Sequence, residues 1–319
     1  MRKKDLKNLL LSLVFAIAVY AIMMILMNLG IISRYWQSVF VLVCINIVLA
    51  VSLNLASGYL GQLTLGHAGF MSVGAYTAAL LTTKLDLPFI LALLVGACAA
   101  AVVGLIIGIP VLRLRGDYLC IITLAFNEII RIIMLNIPIT RGAKGLMGIP
   151  TKTTFTVGFI AVVITIYVIG AIVNSRQGRA IISIREDETA SELTGIPTAQ
   201  FKILAFVISA FFAGIAGGLY AHYLGMLVPS TFDYNKSVEI LVMVVLGGLG
   251  NLKGSVIAAI ILTVLPEYLR AFSSYRMLLY AIALIACMIL KEKNIWPRIK
   301  GMFIKDKKEE VSDDGITQD

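Results

Sequence analysis

Polar side chains that could bind a solute interrupt the apolar stretches of this 319-residue sequence at five positions. They are Gln62, Thr64, His67, Glu128 and Glu239. Amides, hydroxyls, imidazoles and carboxylates can hydrogen-bond a polar solute or pair with its charge. Three of the five are close neighbours in SGYLGQLTLGHAGFMSVGAY, residues 57–76, which also holds five glycines. These five residues are the candidates for contact with a solute that crosses an apolar environment.

The sequence contains no set of residues for covalent or metal chemistry. Its four cysteines stand singly in apolar segments, without a CxxC pair or a His/Cys cluster. It has no GxxxxGK[ST] loop, and its second glycine-rich segment, VLGGLGNLKGS at 245–255, lacks GxGxxG spacing. We therefore expect no catalytic residue, no metal and no bound ATP in this chain.

Composition places the polar residues in a membrane. Hydrophobic residues make up 59% of the chain and charged residues 14%, whereas soluble domains carry about 25% charged residues. A transmembrane helix needs about 20 mostly apolar residues. The sequence thus predicts an all-α, polytopic membrane protein of about ten spans, some of them broken. The predicted spans are 9–29, 36–56, 66–83, 88–112, 117–136, 155–174, 203–225, 237–250, 254–271 and 276–290.

The distribution of basic residues gives an orientation. With these spans, 18 of the 27 Lys and Arg residues lie on the side of the N-terminus and eight on the other side, so both termini are predicted to be cytoplasmic. The domains would be a cytoplasmic N-terminus (1–8), a transmembrane domain (9–290) with a cytoplasmic loop (175–202), and a basic, then acidic, tail (291–319). Attraction of these basic residues to anionic lipid accounts for the net charge of +9, so no nucleic-acid partner is expected.

The glycine-rich segments 57–76 and 245–255 predict broken helices. Each glycine weakens a helix interior by about 1 kcal/mol relative to alanine. Unwound backbone at membrane depth is tolerated only where protein or a water-filled cavity satisfies its polar groups, and transporters use such breaks beside the substrate. We interpret 57–76 as a break that lines or supports a pathway. The alternative is a cytoplasmic hairpin between tightly packed helices.

Two acidic candidates have basic neighbours at helical spacing. Glu128 lies three residues before Arg131, and Glu239 lies three residues after Lys236, so each can form an ion pair on one helix face. A charge at mid-bilayer is costly unless it faces the bundle interior or water. A pair that only fixes helix packing is therefore the alternative to a pathway role for Glu128. The sequence has no long relay of acidic and histidine residues, which disfavours a proton-driven pump.

The cytoplasmic loop NSRQGRAIISIREDETASELTGIPTAQFK, residues 174–202, predicts an amphipathic helix. Apolar residues recur there at helical spacing and Gly and Pro follow them. Acidic charge opposes binding to anionic lipid, so the pattern favours docking to a cytoplasmic protein. We expect reversal of the charges of Glu186 and Glu188 to uncouple transport without preventing insertion. The loop residues assigned to this contact are Arg179, Arg185, Glu186, Asp187, Glu188 and Gly195.

Four blocks of the sequence carry a family resemblance: SLNLASGYLGQLTLGHAGFMSVGAYTAALL (52–81), RLRGDYLCIITLAFNEIIRIIMLN (113–136), GRAIISIREDETASELTGI (178–196) and VLGGLGNLKGSVIAA (245–259). They resemble the LivM-type permeases of branched-chain amino acid ABC importers. The REDE loop and the RLRGDYL segment favour this type over the related LivH-type permeases.

The resemblance implies a multi-pass permease in the cytoplasmic membrane of a prokaryote. Its implied partners are a homologous LivH-type permease, two ATP-binding subunits that hold ATP and Mg²⁺, an extracytoplasmic substrate-binding protein, and membrane lipid. The implied cargo is leucine, isoleucine and valine, although similar permeases carry urea and short-chain amides. The loop follows the Glu-Ala-Ala…Gly pattern of ABC importers only loosely, and TRGAKG at 140–145 replaces a TGG-type run of similar proteins.

Two other classes of transport protein remain compatible with a polytopic helical chain. An ion-coupled secondary transporter would work without ATP-binding partners and fail when the ion gradient is dissipated. A passive channel would conduct in liposomes by itself. The amphipathic loop disfavours both classes, because neither needs a cytoplasmic ATPase to dock.

Overall fold

Helices account for most of the residues that the structure describes. The structure is a computed structural model that describes residues 17–27, 29, 32–114, 116–269, 281 and 285. The chain divides into two units, Met1–Thr263 and Val264–Asp319, and the packing below is that of the first. The helices are α1 (Ile17–Met27), α2 (Arg34–Leu53), α3 (His67–Lys84), α4 (Phe89–Val111), α5 (Asp117–Asn136), α6 (Phe155–Val173), α7 (Arg176–Glu186), α8 (Glu188–Leu193), α9 (Thr198–Leu224), α10 (Tyr234–Gly247) and α11 (Leu252–Tyr268).

Five described helices are long and apolar enough to cross a membrane: α2 with its extension to Tyr59, α4, α5, α6 and α9. Helices α1, α3, α10 and α11 coincide with further predicted spans but are shorter or more polar, and α10 has only 14 residues. The predicted span 276–290, apart from 281 and 285, and the termini 1–8 and 291–319 lie outside the described residues. The predicted helical membrane class is confirmed, while ten spans and cytoplasmic termini stay predictions.

Helix α9 forms the centre of the first unit. It packs against α3, α4 and α2, and its small residues allow close contact. Gly214 lies directly against the backbone of Gly74 in α3, and Gly218 lies against Leu93 in α4. Small residues permit such approach where the hydrophobic effect cannot drive helices together. The core that positions the site is therefore the group of α2, α3, α4 and α9.

The first predicted break lies between α2 and α3. The last turn of α2 widens into a π-helical segment, Asn54–Tyr59, and the chain then leaves helical conformation until His67. The break is shorter than predicted, because the second half of 57–76 is the start of α3. There Gly69 and Gly74 serve contact with neighbouring helices instead of breaking their own.

The second predicted break lies between α10 and α11. Helix α10 ends at Gly247, and Gly248 and Gly250 then adopt positive φ angles of 100° and 78°. Residues with a Cβ rarely adopt this conformation. Helix α11 begins at Leu252, so four residues separate the two helices.

The cytoplasmic loop forms two short helices instead of the single one predicted. Helix α7 ends at Glu186, and Asp187, in an extended conformation, accepts a hydrogen bond from the backbone N–H of Ala190 at 3.0 Å. An aspartate at this position is a favourable N-cap, so it starts α8 and ends α7. The apolar periodicity continues across the interruption and conceals it in the sequence.

A two-stranded ladder departs from the all-α prediction. Strand β1 (Leu146–Met147) pairs antiparallel with β2 (Met226–Leu227). Two residues in each strand are too few to produce a sequence pattern. The ladder ties the connection between α5 and α6 to the end of α9.

Candidate functional site at the two helix breaks

A buried asparagine joins the two breaks. Asn54 lies in the π-helical segment and is fully buried. Its Oδ1 accepts a hydrogen bond from the backbone N–H of Gly250 at 2.9 Å, and its Nδ2 donates to Ser255 Oγ at 3.0 Å. One side chain thus holds the backbone of the second break and the first turn of α11. Both the oxygen and the nitrogen of the amide form hydrogen bonds, so the side chain fixes the position of one break relative to the other.

Glycines make this contact possible. A Cβ added to Gly58 would overlap the backbone nitrogen of Gly250 and the side chain of Asn54. A Cβ added to Gly254 would likewise overlap the carbonyl of Gly247, which draws the ends of α10 and α11 together. The breaks therefore meet backbone to backbone, and any larger residue would separate them.

The side chain of Arg185 reaches the junction from α7. Its Nη1 donates a hydrogen bond to the carbonyl oxygen of Gly58 at 2.8 Å. A Cβ on Gly61 would lie 2.9 Å from Arg185 Cγ, and one on Gly250 would lie 2.7 Å from Arg185 Nη1. The Arg185 side chain is exposed to solvent along part of its length and contacts glycines of both breaks. Its charge strengthens the hydrogen bond relative to a neutral donor.

A second charged contact joins the loop to the central helix. Glu188 Oε2 of α8 lies 2.7 Å from Lys202 Nζ of α9, and the lysine side chain is only 3% exposed. A buried ion pair is costly to break from one side, because the remaining charge then lacks its partner. Arg185 and Glu188 thus attach the loop to the breaks and to α9, respectively.

The six loop residues predicted to contact a partner consequently have different surroundings. Arg185 and Glu188 are used inside the chain, and Asp187 caps α8. Five of the six residues are exposed, Arg185 and Asp187 included, and Glu188 is half-buried. Gly195 has a φ of 86° just beyond α8. Because Glu188 is held by Lys202, the proposed double charge reversal would disturb the fold as well as the loop surface.

The most exposed apolar residue of the loop is Leu193, the last residue of α8, which is 84% exposed. The sequence pattern placed it among the apolar residues of the helix that was predicted to dock to a cytoplasmic protein. The early end of α7 changes the phase of the pattern and turns this side chain outward, beside the exposed Glu192.

Of the pathway candidates in the first break, His67 is enclosed by protein. It is 2% exposed, and its Nε2 lies 2.9 Å from Ser52 Oγ. The hydroxyl of Ser52 donates to the carbonyl of Leu49 at 2.9 Å, so the imidazole Nε2–H is assigned as the donor to it. The carbonyl of Ser52 in turn accepts from Ser209 Oγ of α9 at 2.7 Å. His67 therefore belongs to a hydrogen-bonded link between α3, α2 and α9.

The other two candidates of the first break differ in access. Thr64 is 2% exposed, whereas Gln62 is half-buried. The nearby start of α3 is held by hydroxyls of other helices: Leu65 N donates to Thr123 Oγ1 of α5 at 3.0 Å, and Ala68 N to Ser237 Oγ of α10 at 3.1 Å. These hydroxyls satisfy N–H groups that a helix start leaves without internal partners.

The two acidic candidates form the predicted ion pairs. Glu128 Oε2 lies 2.7 Å from Arg131 Nε, with side-chain exposures of 26% and 28%. Glu239 Oε2 lies 3.0 Å from Lys236 Nζ, with exposures of 40% and 15%. Among the described residues, Glu128 Oε1 is buried without a hydrogen-bond partner.

Two of the five candidates, Gln62 and Thr64, lie in the first break. The other three lie on α3, α5 and α10, which contact one another. The start of α3, where His67 lies, is bonded to Thr123 of α5 and Ser237 of α10, and these helices carry Glu128 and Glu239. The hydroxyl partners were missed because single Ser and Thr residues in apolar runs are common in membrane helices. Within the described part of the chain, no three His, Cys, Asp or Glu side chains are placed to hold a metal.

Comparisons with known proteins give a consistent result over most of the chain. Residues 35–288 match the family model described as "Branched-chain amino acid transport system / permease component". The chain is 36% identical over 301 residues to the high-affinity branched-chain amino acid transport system permease protein LivM of Escherichia coli (strain K12), covering 83% of this chain and 71% of that protein.

Two further relatives have related names. The LivM protein of Salmonella typhimurium (strain LT2) is 35% identical with the same coverage. The probable branched-chain amino acid transport permease protein LivM of Methanocaldococcus jannaschii is 29% identical over 179 residues, which cover 52% of this chain and 51% of that protein. No solved structure matches the chain.

Proposed function

This chain belongs to the LivM-type family of branched-chain amino acid transport permeases, and on that premise we propose how it works within an ABC importer. It carries leucine, isoleucine and valine across the membrane beside a homologous LivH-type permease. Two ATP-binding subunits supply the energy with ATP and Mg²⁺, and an extracytoplasmic binding protein delivers the substrate. The chain itself performs no bond chemistry.

The proposed topology follows from the positive-inside rule. Ten spans leave both termini and the α7–α8 loop in the cytoplasm of a prokaryotic cell, where ATP-binding subunits can reach the loop. The loop's exposed side would be the contact surface, with Leu193 as its apolar residue and Arg179, Glu186 and Glu192 around it.

The observation that carries this proposal is the attachment of the loop to both breaks. A displacement of α7 would be transmitted by Arg185 to the carbonyl of Gly58 and to Gly250. A displacement of α8 would be transmitted by Glu188 to Lys202 and hence to α9. A loop that only connected two spans would have no need of these two charged contacts.

The resulting mechanism is a conformational one. ATP binding closes the partner subunits and moves the loop, and the two breaks and α9 then shift between outward and inward access. A ligand shifts such an equilibrium only by its differential affinity for the two states. Affinity for free amino acid therefore resides in the external binding protein, and this chain binds it weakly.

Among the pathway candidates, we propose direct solute contact for Gln62, Glu128 and Glu239, because their side chains are partly accessible. His67 and Thr64 are enclosed and would position the start of α3. Glu128→Gln should lower uptake of leucine while the complex assembles normally. Asp117→Asn, at the exposed start of the same helix, is the matched control.

Purification of the tagged chain from its native membrane in mild detergent tests the assembly. We expect two P-loop ATPases and a second permease to accompany it. A single species, from a preparation that preserves other membrane complexes, would contradict the proposal and favour a secondary transporter or channel.

Reconstitution of the complex tests the cargo and the energy source. Uptake into proteoliposomes should require the binding protein and ATP, should persist when ion gradients are dissipated, and should prefer leucine, isoleucine and valine. Equal or better uptake of urea or short amides would support the assignment as an ABC permease and contradict the proposed amino acid cargo.

A further inference from the structure

An apolar groove runs along the outside of the helix bundle, away from the breaks. It lies between α4 and α6 with α9 as its floor, and its volume is about 690 Å³. It extends from Val157 to Ile172 of α6, which at 1.5 Å per residue is about 22 Å. Helix α6 packs mainly against α2, whereas α4 packs against α9 and α3. The groove lies between α4 and α6 because these two helices pack against different neighbours.

The lining of the groove excludes a polar ligand. Sixteen of the seventeen described residues that line it are apolar, and the exception is Thr165. Its hydroxyl already donates to the carbonyl of Ala161 at 2.7 Å. The groove therefore fits a hydrocarbon, and its volume falls within the roughly 300–1,000 Å³ of small-molecule sites.

A basic residue stands at one end of the groove. The segment that precedes α6 is tied to the end of α9: Thr153 N donates to the carbonyl of His222 at 3.4 Å, and Thr153 Oγ1 to that of Leu219 at 2.9 Å. Phe89, which lines the groove, packs edge-on against His222 with 4.8 Å between ring centroids. Lys152, next to Thr153, is exposed. It thus lies at the end of the groove where α4 and α6 begin.

We propose that the groove binds a phospholipid, with one acyl chain between α4 and α6 and the phosphate at Lys152. Apolar lining beneath a single positive charge matches the two ends of such a molecule, and lysine binds phosphate as a point charge. One leaflet of hydrocarbon is about 15 Å deep, so the groove is long enough for an acyl chain that starts at this end.

A transmembrane helix fits the groove less well. Fifteen residues of helix about 10 Å across, which span the length of the groove, fill roughly 1,700 Å³, more than twice the volume of the groove, so a partner helix could insert only side chains. The bound lipid would support α6 on its open side. Since α6 leads directly into α7, this lipid would affect the loop without touching it, whichever solute the permease carries.

Photocrosslinking tests the site in the purified complex with a phosphatidylglycerol that carries a photoreactive acyl chain. Peptides of α4 and α6 that line the groove should be labelled. Ala161→Phe, which fills the groove, should abolish that labelling, whereas Ile106→Phe, on a lipid-facing part of α4 outside the groove, should not. Equal labelling in both variants, or crosslinks to protein instead of lipid, would overturn the proposal.

The charged end is tested separately with a surface variant that leaves the groove intact. Lys152→Glu should lower labelling by phosphatidylglycerol about fivefold or more and leave labelling by phosphatidylcholine nearly unchanged, because one lysine near a membrane surface attracts anionic lipid with about that strength. Lys144→Glu, an exposed lysine outside the groove, is the charge-matched control. An equal loss with both variants would refute a role for Lys152.

Discussion

The two sides of the α7–α8 loop resemble each other in composition and differ in what they touch. On the inner side, Arg185 contacts glycines of two helix breaks and Glu188 is paired with a buried lysine. On the outer side, Glu186 and Leu193 are exposed. The inner charges bind this chain to itself, and the outer residues are available to another protein.

The difference would let a short loop couple two molecules in the way proposed above. A contact that transmits displacement needs firm attachment on one side and recognition on the other. Changes on the inner side should therefore alter stability or transport inside the chain, whereas changes on the outer side should alter assembly alone. The predictions below test this separation.

The largest effect is expected at the buried ion pair. Lys202→Met removes the lysine that pairs with the Glu188 carboxylate and should lower the free energy of unfolding by up to about 3 kcal/mol, the lower end for a buried pair, because Glu188 is 23% exposed. Thermal denaturation of the purified complex measures this. The double variant with Glu188→Gln should recover part of the loss, and failure to recover any would show that the two residues act independently.

A side chain added where the two breaks touch should destabilise the fold nearly as much. Gly58→Ala places a Cβ against the backbone of Gly250, and such overpacking costs about 1–3 kcal/mol or more. We expect lower yield of folded protein and loss of uptake. Gly195→Ala is also in a loop but has open space around it, and should be tolerated better despite its positive φ.

Loss of the guanidinium group at the junction should lower transport and leave assembly with the ATPase unchanged. Arg185→Ala removes a charged hydrogen bond worth about 1.5–3 kcal/mol, and leucine uptake should fall about tenfold or more. Copurified ATPase should be unchanged. Arg176→Ala, at an exposed position in the first turn of the same helix, is the control. If it lowers uptake equally, Arg185 has no special role in coupling.

The outer side should respond in the opposite way. Leu193→Asp and Glu186→Lys should each reduce the ATPase that copurifies with the chain, by about fivefold for a contact worth about 1 kcal/mol. The melting temperature of the chain should stay the same. A drop in melting temperature with full ATPase binding would place these residues in the fold.

The smallest effect is expected for His67, whose imidazole is satisfied inside the protein. His67→Asn can still donate toward Ser52 and should cost about 1 kcal/mol of stability with uptake within about twofold of the original. Uptake assays beside Gln62→Ala give the comparison. A complete loss of uptake with normal stability would make His67 a contact of the solute.

The sequence predicts the helices well because long apolar runs leave few other structures possible in a membrane. Both breaks were predictable from glycine density. Their mutual contact was not, since Asn54 and Gly250 are 196 residues apart and neither carries a signal of its partner. The contact of Arg185 with Gly58, 127 residues away, was missed for the same reason. The end of α7 at Asp187 was missed because a cap in the middle of a periodic stretch resembles one more polar residue.

The bonds of Asn54 also set an order of assembly. Its partners, Gly250 and Ser255, follow it by 196 and 201 residues. At about 5–20 residues per second of synthesis, roughly 10–40 s pass between the appearance of the amide and that of its partners. Throughout that interval the first half of the protein is present in the membrane with its break open. The junction can close only when α10 and α11 arrive, so a chain that stops before Gly250 lacks both hydrogen bonds that join the two breaks.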